Sequence, residues 1–414
     1  MTRVSELNDT WKDYVIATYR LAASGDLAKK AETIALGMTV GSWTGLPAAR
    51  QEALDRHAGR VVTVEGNLIR IAYPLTNLTP DLPALLTCTF GKLSMDGKIR
   101  LVDLTLPPHF AAAFAGPKLG VEGVRERTGV HGRPLLMSIF KSCLGLTLTE
   151  LAEGFFPQAL GGVDLIKDDE IFFNDSEAPF ERRLEACLRA GERARRETGQ
   201  AVLYAINLTG PVHQLPEKAR RAVRLGANAL LINVLPYGFD LLQRLSEDPE
   251  ITVPLVAHPA LAGAMYPSGD YGIAAPLLLG TLMRLAGADL VLFPSPYGGM
   301  ALERSEALDL ASRLKDKTRL PCLPAFPVPS AGIHPGLVPH IMDDFGFDVV
   351  INAGGGIHGH PGGAAAGGRA FRAAIAASVA GVPLEQAAAG SSDLRAALDQ
   401  WGSDKARIPK EFPI

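Results

Sequence analysis

Residues 161–172 read GGVDLIKDDEIF, with Lys167, Asp168, Asp169 and Glu170 in one run after an apolar stretch. Asp169 and Glu170 are hard oxygen donors of the kind Mg²⁺ takes, few enough to leave positions for water and substrate oxygens. Lys167 is out of place in such a set, because an ammonium repels a metal; the plain alternative is a solvated charge cluster. A second stretch, NAGGGIHGHPGG at 352–363, offers different chemistry. Unhindered backbone N–H groups leading into a helix make an anion nest suited to phosphate. GGGIHG also fits GxGxxG, but a dinucleotide site needs a βαβ unit with an acid about 20 residues on. Here an alanine-rich helix pattern follows. His358 and His360 could ligate a metal or simply open that helix before Pro361.

These residues need elements to position them. From residue 134 onward, short apolar runs recur: PLLMSIFK, VDLIK, AVLYAIN, ALLINV, TVPLVAH, DLVLF, CLPAF and DVVIN. Helical patterns such as APFERRLEACLRAGERARRETG separate most of them. Continuous apolar strands alternating with helices imply a parallel sheet covered on both faces. Eight such strands close a (β/α)₈ barrel, whose chemistry lies at the C-terminal strand ends. At those ends fall Lys141, the 167–170 run, Asn207 and His258, while Ser330, Gly332 and Gly354–Gly356 follow strands seven and eight, where such barrels hold phosphate. The first ~115 residues mix strand-like runs (DYVIATYRL, RVVTVEGNLIRIAYPL, LLTCTFG, IRLVDLTLP) with helical ones, an α+β layer. The Gly- and Pro-rich stretch 114–134 reads as the connection. We place the boundary between 1–122 and 123–414.

Composition narrows the function. A net charge of −3 gives no basis for a nucleic-acid or anionic-membrane footprint. The longest apolar region is interrupted by Arg284 and Asp289, and the N-terminus has no signal-like run. Four cysteines stand far apart without a CxxC pair, suggesting neither a zinc site nor a disulfide scaffold. The reading is a soluble cytoplasmic protein acting on a small molecule.

GGVDLIKDDE resembles the strand-two motif of ribulose-bisphosphate carboxylase large chains and RuBisCO-like proteins. The resemblance covers nearly the whole chain and implies a ferredoxin-like N-terminal domain before the barrel. It implies that CO₂ carbamylates Lys167, so that the carbamate, Asp169 and Glu170 hold one Mg²⁺ per subunit. HGRPLLMSIFKSCLGLT carries Lys141, near the reacting carbons. PVPSAGIH and NAGGGIHGHPGG match phosphate-binding segments, giving Ser330, Gly332, Gly355 and Gly356. TVGSWTGLP matches a segment reaching a neighbouring subunit's phosphate site, giving Ser42 and Trp43. Active sites shared across a homodimer follow from the same resemblance.

The departures are as informative. LFPSPYGGMALERSEAL has no lysine where carboxylases carry one on a mobile loop. Cys143 stands in place of a second lysine, Gly37 lies near a catalytic glutamate's position, and Pro259 replaces a phosphate-binding arginine. These changes argue against carboxylation and for a substrate with one phosphate. MSIFK, the HPA…GA segment with His258, LFPSPYG and GIHGHP resemble the methionine-salvage enolases within the RuBisCO-like proteins. That implies enolisation of 2,3-diketo-5-methylthiopentyl-1-phosphate, with Lys92 of CTFGKLS as general base and Lys141 stabilising or positioning. Two other readings stay open: isomerisation of 5-methylthioribulose-1-phosphate or a related sugar phosphate, and non-catalytic binding of a phosphate ester.

Overall fold

The computed structural model describes residues 9–22, 25–41, 48–141, 143–173, 176–299 and 302–403. The N-terminal sheet contains β1 (Tyr14–Leu21), β2 (Arg60–Glu65), β3 (Leu68–Pro74) and β4 (Ile99–Thr105). Their antiparallel order, β4-β1-β3-β2, is that of a ferredoxin-like layer. Period-two alternation in β1 buries Val15, Ala17, Tyr19 and Leu21 on one face. The helix Leu27–Gly37 turns Ala31, Ile34 and Ala35 into the same core, at the i, i+3, i+4 spacing of a helical stripe.

One N-terminal expectation is corrected. LLTCTFG is not a strand: the helix Leu82–Leu86 runs into a π-helical turn, Thr87–Gly91. The start signal outweighs the β-forming Thr and Phe. Asp81 accepts the Ala84 N–H at 2.7 Å and Pro83 sits in the first turn, the combination that opens helices. Thr89 then returns its hydroxyl to the Leu85 carbonyl at 2.7 Å.

The barrel closes from β5 (Leu135–Ile139), β6 (Leu165–Lys167), β7 (Leu203–Asn207), β8 (Ala229–Asn233), β9 (Leu255–His258), β11 (Leu290–Pro294), β12 (Phe326–Ser330) and β13 (Val350–Ala353). The short β10 (Gly272–Ile273) leaves the barrel and pairs in parallel with β4. Alternate strand residues fill the interior, among them Leu135, Met137, Leu165, Leu203, Ala205, Leu231 and Val256. The intervening residues, such as Leu136, Ile166, Tyr204 and Leu230, pack outward under the helices.

Two further expectations shift. Strand seven begins four residues beyond the start of CLPAF, because the Arg284 guanidinium takes the carbonyls of Cys322 at 2.7 Å and Leu323 at 2.9 Å. Its Pro327 and Pro329 have no N–H to offer β13, so pairing on that side comes down to Ser330↔Asn352. The 114–134 connection is more than a linker. It contains the helix Gly120–Thr128, whose Val121 and Val124 join the barrel-interior cluster while Arg125 lies over the Phe326 ring. Among the described residues no helix is long and apolar enough to cross a membrane.

Candidate active site

Carrying the interior alternation one step further gives Ile139, Lys167, Asn207, Asn233, His258, Pro294, Ser330 and Asn352, one at the C-terminal end of each strand. The strand period thus delivers a layer one step above the apolar core in which six of the eight residues are polar, Ile139 and Pro294 being the exceptions. A cavity of about 1130 Å³ opens there, lined by six of these eight; Asn207 and Asn233 stand behind it.

The 167–170 run is not a solvated cluster: Lys167, Asp168 and Asp169 are buried and Glu170 is partly so. Lys167 Nζ donates to the Asp168 carbonyl at 2.9 Å and lies 3.4 Å from Glu170 Oε2. Burial pushes its amine below the ordinary lysine value, with the Lys141 charge acting in the same direction and Glu170 and Asp169 opposing. Lys141 Nζ sits 3.0 Å from Asp169 Oδ2. For Glu170, burial acts to raise the carboxyl, but Lys167, a backbone hydrogen bond and Lys141 together hold it below its usual range.

His258 Nε2 is 3.3 Å from Glu170 Oε2, and its Nδ1 accepts the Ala260 N–H at 3.2 Å. Burial, helped by the Lys167 charge, keeps the ring well below the usual histidine range and hence neutral. With Nδ1 accepting, the neutral ring carries its proton on Nε2, facing Glu170.

Asp168 turns away from the cavity. It accepts the Tyr204 hydroxyl at 2.7 Å and the Asn207 N–H at 2.9 Å, and pairs with Arg183 at 3.1 Å. Arg183 in turn lies 4.0 Å over the Phe172 ring. The Asn207 and Asn233 amides donate to the Glu170 carbonyl at 3.1 and 3.0 Å, fixing the turn that presents Asp169 and Glu170. The side-chain oxygens of both asparagines are buried with no protein partner. Sequence reasoning singled out Asn207 but missed Asn233, Asn352, Arg183 and Tyr204. The two asparagines were available from period two; Arg183 sits in an otherwise ordinary helical charge pattern.

The opposite wall is made from backbone. Gly332 has φ +69°, and a Cβ on it would stand 2.7 Å from the Cα of Gly298. A Cβ on Gly356 would meet the Ile333 carbonyl oxygen at 2.3 Å, so these loops pack main chain to main chain. Gly355 and Gly356 open the short helix Gly355–His358, where first-turn N–H groups have no intrahelical acceptor. Ser330 Oγ accepts the Asn352 amide at 2.8 Å. His358 and His360 hydrogen-bond backbone carbonyls instead, of Ile139 at 2.8 Å and of Asp393 at 2.9 Å.

One cavity therefore brings together Lys141, Lys167, Glu170, His258, Ser330, Gly332, Gly355 and Gly356, with Asp169 bonded to Lys141 at its edge. Lys92 is not among its lining residues. It stands exposed after the π-helical turn, between the buried Phe90 and Leu93. Ser42 and Trp43 lie outside the described residues. Among the described residues no three His, Cys, Asp or Glu side chains are grouped to hold a metal. The donors fit a hard cation on one condition. Two carboxylates and a buried amine share a corner, and turning that amine into a carboxylate supplies the third oxygen ligand.

The large-chain models of ribulose bisphosphate carboxylase match this sequence twice, the N-terminal domain over residues 6–110 and the catalytic domain over 120–401. The chain belongs to the ribulose bisphosphate carboxylase large-chain family. Among the relatives of this chain, the 2,3-diketo-5-methylthiopentyl-1-phosphate enolase of Geobacillus kaustophilus is 54% identical over 405 residues, covering 94% of this chain and 98% of that one. The enolase of the same name from Bacillus licheniformis is 52% identical, with 94% and 98% covered. A rubisco-like protein (MtnW) from Alicyclobacillus acidocaldarius superposes with a TM-score of 0.90 at 53% identity, covering 94% of this chain and all of that one. The octameric ribulose-1,5-bisphosphate carboxylase/oxygenase of Pyrococcus horikoshii gives 0.87 at 33% identity, with 94% of each chain covered.

Proposed function

We propose that this RuBisCO-family chain is an enolase that converts 2,3-diketo-5-methylthiopentyl-1-phosphate to 2-hydroxy-3-keto-5-methylthiopentenyl-1-phosphate in methionine salvage. The observation that carries the reading is a single cavity with a buried amine–carboxylate corner on β6 and a glycine anion wall on β12 and β13. Relatives of that name at 50–54% identity support it.

In this proposal Lys167 is carbamylated, and the carbamate, Asp169 and Glu170 hold one Mg²⁺. Burial supports this by lowering the Lys167 pKa from the ordinary lysine value, because the neutral amine is the form that adds to CO₂. Bound there, Mg²⁺ supplies Lewis-acid stabilisation of the negative charge that builds on the substrate carbonyls as the C1 proton leaves. The chain's own residues do the rest. His258, neutral, has a single N–H, on Nε2, which holds Glu170 until the metal takes that carboxylate and then serves the substrate. Ser330 and the N–H groups of Gly332, Gly355 and Gly356 bind the phosphate and so fix C1. Lys141 orients the carbonyl end and stabilises developing charge. Lys92, delivered by a partner subunit together with Ser42 and Trp43, removes the C1 proton. The exposure of Lys92, away from its own chain's cavity, supports delivery in trans. We place the enzyme in the cytoplasm, where the free cysteines of the described chain would stay reduced.

The test is substrate-dependent exchange of the C1 proton with deuterium from solvent, in Mg²⁺ and bicarbonate. Exchange that requires both additions supports the reading; its absence from fully loaded enzyme refutes it.

A further inference from the structure

We propose that the loop after β9 forms an apolar subsite for the methylthio end of the substrate, with Leu261 as the residue that sets the preference for it. This rests on the enolase reading above. The barrel order decides which wall remains. Phosphate would occupy the β12–β13 side and the metal corner lies on β6, while Asn207 and Asn233 close β7 and β8 from behind. The unassigned wall is the arc of β9 and β11, lined by Pro259, Leu261, Ala262, Tyr266, Pro294 and Tyr297. It carries no charged side chain among those residues. The hydroxyl of Tyr297 is turned away from it to the His340 carbonyl at 3.0 Å. Such a wall suits a thioether and rejects a phosphate.

Leu261 is unusual on two independent counts. It is 60% exposed, at the cavity rim, and its φ is +72°, a left-handed conformation that costs a branched side chain free energy. The loop enforces it. Ala262 N–H bonds the Pro259 carbonyl at 2.9 Å, Ala264 N–H the Leu261 carbonyl at 3.0 Å, and Met265 N–H the Ala262 carbonyl at 2.8 Å. The far end is tied down by Arg100 of β4, whose guanidinium bonds the Tyr266 carbonyl at 3.0 Å and Glu306 at 2.9 Å. An asparagine or glycine would fit this backbone with less strain. A strained, exposed leucine held over an apolar cavity wall is explained by a ligand that covers it.

The experiment compares kcat/KM for 2,3-diketo-5-methylthiopentyl-1-phosphate with that for 2,3-diketopentyl-1-phosphate, which lacks the tail. Leu261→Gly and Leu261→Asn should each lower that ratio on the order of tenfold, the scale of a few lost apolar contacts. Most of the loss should fall in KM, with no drop in melting temperature, because both residues accept the backbone. Leu261→Met should retain the preference. A ratio unchanged in the glycine and asparagine variants would overturn the assignment while leaving the enolase reading standing. If wild type exchanges the C1 proton of neither compound, the enolase reading fails and this inference fails with it.

Discussion

Arg183 Nη2 stands 3.1 Å from Asp168 Oδ2, and both side chains are almost wholly sealed from water. The pair adjoins the corner of Lys167, Asp169 and Glu170, since Asp168 lies between Lys167 and Asp169 in the chain and is held from three sides by Arg183, Tyr204 and Asn207. Removing one partner leaves an uncompensated buried charge, which costs about 3–5 kcal/mol. Arg183→Met should therefore unfold at lower denaturant and bind Mg²⁺ more weakly, although Arg183 does not line the cavity. Denaturant titration and metal titration on the same samples measure both. A loss below about 1 kcal/mol with metal affinity intact would show that the pair does not position the corner.

Lys167 gives a pH dependence with a definite sign. Burial lowers its pKa, so the neutral amine appears at lower pH than on an exposed lysine. Only the neutral form adds CO₂. At a fixed concentration of dissolved CO₂, the rate of activation should rise with pH and reach half its plateau below 10.5, the ordinary lysine value. Lys167→Ala should abolish both activation and enolisation. Stopped-flow activation followed by the exchange assay tests this; a midpoint at or above the ordinary value would remove burial as the cause.

How much of this was legible in the sequence varies by element, for physical reasons. Parallel strands buried on both faces write themselves as apolar runs, so the barrel was readable strand by strand. Lys167, Ser330 and the glycines stood out as candidates because they end or follow apolar runs at one rim, and the fold sets them around one cavity; the roles given to them came from the family resemblance. LLTCTFG at 85–91 was misread because Thr, Cys and Phe suggest a strand, while Asp81 and Pro83, just upstream, govern the start. Arg183 was invisible for another reason. It lies in a helix rich in arginines, most of them solvated like Arg189 and Arg195, and only the tertiary fold sets it against Asp168. Leu261 could not be found at all, since nothing in HPALAG signals a left-handed leucine.

Ribulose 1,5-bisphosphate should not be carboxylated. Its second phosphate would meet the wall of Pro259, Leu261 and Tyr266, where burying a phosphate without a cation is costly. The loop that follows β11, SPYGGMALE at 295–303, has no lysine to steady a CO₂ adduct. Labelled CO₂ should yield no 3-phosphoglycerate above background, and Pro259→Arg alone should not restore the reaction while the loop lysine is missing. Labelled product from purified wild type would sink the argument.

The last prediction concerns assembly. Lys92 is exposed on the N-terminal domain and Lys167 is buried at the mouth of the barrel. If each active site takes Lys92 from one subunit and Lys167 from the other, a two-fold dimer supplies both sites reciprocally. Lys92→Ala and Lys167→Ala homodimers should then each be inactive. In a mixed dimer one site receives both wild-type lysines and the other receives neither. Random reassociation of equal amounts makes about half the dimers mixed, each with one working site, so recovered activity should be about a quarter of wild type. Co-expression with two different tags, tandem purification of mixed dimers and the deuterium-exchange assay in saturating Mg²⁺ and bicarbonate give the answer. Purified mixed dimers should show about half the wild-type activity. Mixed dimers with no activity would put both lysines in one chain's site or remove Lys92 from catalysis. Activity in the Lys92→Ala homodimer would remove Lys92 as the base outright.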